Sequence, residues 1–228
     1  MNKFVGTLFG ISVLLLNTIL IVSSHSFAAL YYIFWVGGVG VFLWKKKASI
    51  EEKLKTWVLP SFPKFVLLGI GMILFEEMLA SFSVNVSPAL TVSSYTHFVL
   101  QYWATNLLTL AGFVIGWYLL LSRFQYTKKE TLFFAGIFGL FAEKVIYWIF
   151  AMPLMGILLI IPTMFTYAII ITPSVLSIDM RIKRPLSAPI RYFLALLIPF
   201  LVSVPFIGIL LYLMTVYPQV FYIPNNSL

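Results

Sequence analysis

Phe65 to Val84 reads FVLLGIGMILFEEMLASFSV. This is the length a helix needs to cross a bilayer core, about 20 apolar residues. Its ionisable groups are two adjacent carboxyls, Glu76 and Glu77, placed past the middle of the run. The stretch therefore implies both a membrane helix and a polar site within it. A charge at that depth costs on the order of 3 kcal/mol, so such residues face the bundle and need partners.

Working outward, the rest of the chain has the same character. It has 228 residues, of which 61% are hydrophobic and only 10% charged. A soluble domain carries about 25% charged residues. Phe4 to Val22, Phe27 to Trp44, His97 to Leu121, Thr131 to Phe150, Pro153 to Val175 and Tyr192 to Val216 add six further apolar runs. The expectation is an all-α polytopic transmembrane bundle of about seven spans, forming a single integral-membrane domain. The first run resembles a secretory leader, with Lys3 before it and Ser26-Phe27-Ala28 after it. It is longer than the usual 7–15 apolar residues of a leader, and reads as a retained helix.

The basic residues orient these spans. Lys144 lies inside the fifth run, and the other fourteen of the fifteen Lys and Arg fall between runs or at the N-terminus. With seven spans, all fourteen lie on one side. The N-terminus is then inside and the C-terminus outside, as in a multi-pass protein of the cell membrane. The net charge of +8 follows from these loops. It matches anionic lipid headgroups on the inner leaflet and requires no nucleic acid. Two Asn-x-Ser sequons, at Asn85 and Asn225, fall on the outer side.

No loop is long enough for a soluble domain. Within the longest inner loop, residues 48–59 predict a short interfacial amphipathic helix. Ser49 to Glu52 has the hydroxyl-carboxylate spacing of a capping box. Ile50, Leu54, Trp57 and Val58 recur at helical spacing. Gly112 and Gly116 form a GxxxG pair, which permits close helix approach. Pro153, Pro162, Pro173, Pro199 and Pro205 crowd the last two runs.

Glu143 and Lys144 interrupt the fifth run at nearly the depth of Glu76 and Glu77, roughly 17–20 Å from the inner boundary at 1.5 Å per residue. Lys144 is expected to neutralise one of the three glutamates. Two carboxylates then share a low-dielectric site, and at least one is expected to hold its proton at neutral pH. His97, Gln101, Thr105 and Thr109 recur every four residues along the fourth run, with Asn106 on a different side. His97, Gln101, Thr105 and Asn106 read as an access path toward the carboxyls.

The Glu76-Glu77 pair is similar to the paired glutamates of CAAX-type intramembrane proteases. The arginine of that pattern is replaced by Ser81, and His97 is the only histidine downstream. Membrane carotenoid cyclases also carry Glu-Glu on a helix, with a proline two positions ahead where this chain has Leu74. Neither pattern is complete. There is no cysteine, no HExxH, no phosphate-binding glycine loop and no aspartate-rich motif, so no metal is indicated, and the residues leave any cofactor unknown. The leading expectation is transport or permeation of a cation or small polar solute through a cavity lined by Glu76, Glu77 and Glu143, with Lys144 as counter-charge. Two other classes stay open. One is an intramembrane enzyme acting on a lipid or membrane peptide. The other is a structural or assembly subunit with membrane-protein partners. Single cysteines at Ser94 and Lys128 should react with an impermeant thiol reagent from opposite faces of the membrane. Reaction of both from the same face overturns the seven-span arrangement.

Overall fold

The structure, a computed structural model, describes residues 3–24, 28–85, 91–179 and 183–221. Both sequons include residues outside these ranges. Among the described residues the secondary structure is helical, apart from one isolated bridge between Phe124 and Arg184. The long helices are α1 (Lys3–Ser24), α4 (Ser61–Asn85), α5 (Val92–Arg123), α8 (Pro153–Leu176) and α9 (Ala188–Val216). All five are long and apolar enough to cross a membrane. A sixth span results if α6 (Lys128–Ala142) and α7 (Val145–Ala151), bent by 55° at their junction, are taken together. The chain is a multi-pass membrane protein.

The expected second span, Phe27 to Trp44, falls largely on a helical run that is not one α-helix. It passes from α2 (Leu30–Tyr32) through a π-helical segment (Ile33–Gly40) into α3 (Val41–Thr56). The π segment packs on α8, where a Cβ on Gly40 would lie 2.6 Å from Ile169 Cδ1. This run also corrects the reading of the inner loop. Residues 49–56 are helical, but they continue α3 rather than start a helix of their own. Ser49 has helix on both sides, so no free amides are there for it to cap. Instead α3 ends at Trp57, where the backbone turns extended. The buried Lys64 ammonium donates to Leu54 O and Trp57 O, each at 3.1 Å. A cation at a helix C-terminus satisfies free carbonyls and complements the helix dipole.

Capping boxes form elsewhere. Thr91 and Ser94 exchange bonds at the start of α5, and Thr127 and Glu130 do so at the start of α6. The second pair satisfies two amides that the first helical turn leaves free.

The core is α8, which packs against α1, α4, α6, α7 and the π segment. Gly69 of α4 faces Val114 of α5 and Ser174 of α8, and Ser174 Oγ donates to Phe65 O at 2.7 Å. Trp35, Phe65, Phe113 and Trp117 are fully buried there. Both halves of the GxxxG pair lie against α9. A Cβ on Gly116 would sit 2.6 Å from Pro199 Cα, and one on Gly112 would sit 2.8 Å from Ser203 N. α8 and α9 run on through their internal prolines.

The connections rich in basic residues meet at one end. Gln125 N donates to Arg184 O at 3.0 Å, joining the α5–α6 turn to the approach to α9. Glu51 of α3 pairs with Lys55 at 2.8 Å and with Lys128 of α6 at 2.5 Å. Glu130 of α6 pairs with Arg191 of α9 at 2.5 Å.

Because α5 and α9 touch backbone to backbone, Gly116→Val should force them apart. Overpacking typically costs 1–3 kcal/mol, so a loss of about that size is expected in reversible unfolding. An equal substitution at Gly71, where a Cβ meets nothing within 4 Å, should cost less.

Candidate functional site

The site grows from α4. Glu76 and Glu77 are both buried, at 7% and 6% exposure, and their carboxyls lie within hydrogen-bonding reach of each other. Adjacent residues on a helix project about 100° apart, so the two acids address different neighbours. Glu76 accepts from the hydroxyl of Tyr31, which stands just ahead of the π segment. That hydroxyl also lies 3.4 Å from Thr166 Oγ1 on α8. Glu77 accepts from Asn106 Nδ2 of α5 at 2.6 Å.

Glu143 completes the cluster from α6, where it ends the helix. It accepts from the buried hydroxyl of Tyr167 at 2.6 Å. Tyr167 is held against glycine, since a Cβ on Gly139 would strike its ring. All three carboxyls interact electrostatically with one another. Among the described residues, no group of three His, Cys, Asp or Glu is arranged to hold a metal ion.

The helix breaks at the next residue. Lys144 has φ 54° and ψ 23°, the left-handed conformation, and is the one non-glycine with positive φ among the described residues. Its carbonyl accepts from Trp148 N at 3.1 Å and so opens α7. Left-handed backbone costs a residue with a Cβ roughly 1–2 kcal/mol. The expected ion pair is not formed: Lys144 is exposed and makes no ion pair with Glu76, Glu77 or Glu143. The backbone turn that ends α6 leaves both Glu143 and Lys144 exposed, with Glu143 turned to bond Tyr167. The carboxyls are therefore met by neutral donors, two phenols and an amide.

The proposed access stripe is divided. His97 is exposed. Gln101 and Thr105 are buried, but the Thr105 and Thr109 hydroxyls donate to carbonyls one turn back on their own helix, at 2.9 and 3.0 Å. Asn106 alone of the stripe and its neighbour residue bonds to a carboxyl. Two further bonds zip α5 to α4 around it, Trp103 Nε1 to Leu74 O and Tyr95 Oη to Met78 O, both at 2.9 Å. Tyr31, Thr166 and Tyr167 were not legible as partners. Their one signal is polar atoms within otherwise apolar runs.

The fold and site define an integral membrane protein with a buried pair of carboxyls on α4 and a third, exposed carboxyl at a helix break. No protein-family profile, curated protein or solved structure matches the chain.

Removing a neutral donor should cost more than removing the cation. Asn106→Leu leaves a buried acceptor unmatched, which costs about 1–3 kcal/mol. Lys144→Met, at an exposed position with no ion pair, should shift unfolding by less than about 0.5 kcal/mol. The reverse order in reversible unfolding overturns this arrangement.

Proposed function

We propose that the protein moves a cation or small polar solute across the membrane, and that proton exchange at Glu76, Glu77 and Glu143 is coupled to that movement. One observation carries the reading: Glu143, a carboxyl at a helix break, lies within electrostatic range of the buried Glu76 and Glu77 of α4. Discontinuous helices with polar groups at the break are how membrane transporters build solute and ion sites near the bilayer midplane. Irregular backbone at that depth is tolerated only where protein or a polar cavity covers it.

The donor set supports protons as the coupled species. Tyr31, Asn106 and Tyr167 offer a hydrogen bond without a compensating charge. A carboxyl held this way is able to alternate between bonding to a neighbour as an anion and carrying a proton. The phenols of Tyr31 and Tyr167 and the hydroxyl of Thr166 are groups through which a proton is passed between helices. In this reading Lys144 is not a counter-charge within the site. It shapes the break.

Proteoliposomes containing a pH-sensitive dye test the reading. An imposed gradient should drive proton movement, and alkali cations, amines and small neutral solutes are then screened for coupling. Glu77→Gln and Glu143→Gln should each lower flux more than tenfold, the scale expected when a group essential to turnover is removed (about 1.4 kcal/mol per tenfold). Lys144→Met should leave flux within about twofold on the same scale. Flux indistinguishable from protein-free liposomes for every species overturns the proposal.

A further inference from the structure

The helix that carries Glu143 is fastened differently at its two ends. At its start, Lys128 pairs with Glu51 of α3, and Glu130 pairs with Arg191 of α9. At its other end stands the left-handed Lys144, with a 55° change of direction. Between them α6 meets α8 through glycine. Gly136 lies against Met164, where a Cβ would come within 2.9 Å of the carbonyl oxygen, and Gly139 lies against the ring of Tyr167. At those two turns the backbone of α6 lies close against α8, with Phe138 between them packed on the Tyr167 ring.

The same helix carries an aromatic side chain on the basic side of the carboxyls. Phe138 is five positions ahead of Glu143, so it lies about 7–8 Å toward the basic end. Its ring packs 4.5 Å from that of Phe113 on α5 and 6.1 Å from that of Tyr167 on α8. Phe113 is itself seven positions nearer the basic end of α5 than Asn106. All three rings are buried, and Phe113 and Phe138 lie on the basic side of the level of Asn106 and Glu143. Outside them a cleft of about 210 Å³ enters from that end, lined by Glu51, Lys55, Gln125, Tyr126 and Lys128 with Asp179.

We infer that α6 is a hinged arm, latched by Glu51–Lys128 and Glu130–Arg191 and turning at Lys144, which withdraws Phe138 and opens the buried Glu76 and Glu77 to the basic face. The inference rests on the transport reading for its purpose, though not for its geometry.

The energetics suit a latch. Both ion pairs are partly exposed, with side-chain exposures of 29% and 22% in the first and 21% and 16% in the second. Pairs of this kind contribute roughly 0–1 kcal/mol, enough to bias a position and too little to lock it. Lys128 and Lys129 lie in the first turn of α6, where the helix dipole disfavours cations. Glu51 relieves Lys128 of that penalty only while the end is docked. The hydrogen bond from Lys128, with a second from Lys55, holds the Glu51 carboxyl down to about 2. A carboxyl lowered in the folded state contributes above its ordinary range and loses its contribution only as pH falls toward 2. The latch therefore stays charged at neutral pH, and its opening does not depend on titration of Glu51.

The natural absence of cysteine permits a direct test. Thr166→Cys places a buried reporter beside Tyr31 and Glu76, and Lys46→Cys in a separate protein marks the basic face. An impermeant thiol reagent is applied to each side of proteoliposomes in turn. Lys128→Glu and Glu51→Lys should each raise the labelling rate at position 166 about fivefold from the basic face only, the equivalent of ~1 kcal/mol for a lost pair. Their combination, which restores opposite charges, should return the rate to that of the parent. Phe138→Ala should raise it with the latch intact. Glu130 is left alone because it also closes the capping box of α6. Unchanged labelling in the single variants overturns the arm. So does an increase from both faces, or one that the charge exchange fails to reverse, because either marks general loosening. Gated labelling without solute flux removes the transport reading and keeps the arm. Flux with ungated labelling removes the arm alone.

Discussion

Tyr31, Asn106 and Tyr167 each bring a neutral donor to a carboxyl carried on another helix, and the packing of the bundle is organised around those three bonds. A buried carboxyl without a partner is among the most costly groups a membrane protein holds. Glu76 and Glu77 thus oblige α2, α4 and α5 to meet at one level, and Tyr167 of α8 reaches out to the exposed Glu143 of α6. Close approach along the helix faces makes that meeting geometrically feasible. Gly69 lets α4 approach α5 and α8, and Gly139 admits the Tyr167 ring. The glycines and the acids belong to one solution.

The break at Lys144 is the second element of it. A straight helix would have carried Lys144 onward on the helix surface about 100° from Glu143. Both residues are exposed, but the left-handed turn divides them, Glu143 bonding to Tyr167 and Lys144 opening α7. An ion pair between neighbouring helices would have fixed the cluster in one charge state. Neutral donors leave it able to change, and this is why the absence of the pairing bears on function as well as on stability.

Apolar run length located the long helices well, and for a plain physical reason: the bilayer, or its substitute in a packed bundle, selects against charge along each run. It did not locate the ends. Hydropathy stops at Lys45, but α3 continues to Thr56, since lysine and glutamate are good helix formers in water. Glu76, Glu77 and Glu143 stood out in the sequence because a charge in an apolar run is conspicuous. Their partners did not, because a tyrosine scarcely lowers the hydropathy of a run. The break was likewise hidden, as it falls at Glu143-Lys144 with neither glycine nor proline to announce it. The periodic stripe through Gln101 and Thr105 was real as a face of α5, but hydroxyls that bond their own helix do not address a neighbour. Asn106, off that stripe, does.

The π segment from Ile33 to Gly40 has a consequence for how changes of length act on this chain. A π turn holds about one residue more than an α turn, so the segment rotates everything after it by about 100° relative to an unbroken α-helix. Tyr31 lies before it and Glu51 after it, and both address the bundle, one at the carboxyls and one at Lys128. The segment therefore works as a phase shifter between two contact faces. Insertions and deletions here are read by the fold as angles rather than distances. Loss of one residue between them alters which way Glu51 faces far more than where it sits, and swapping side chains within the segment leaves that phase untouched.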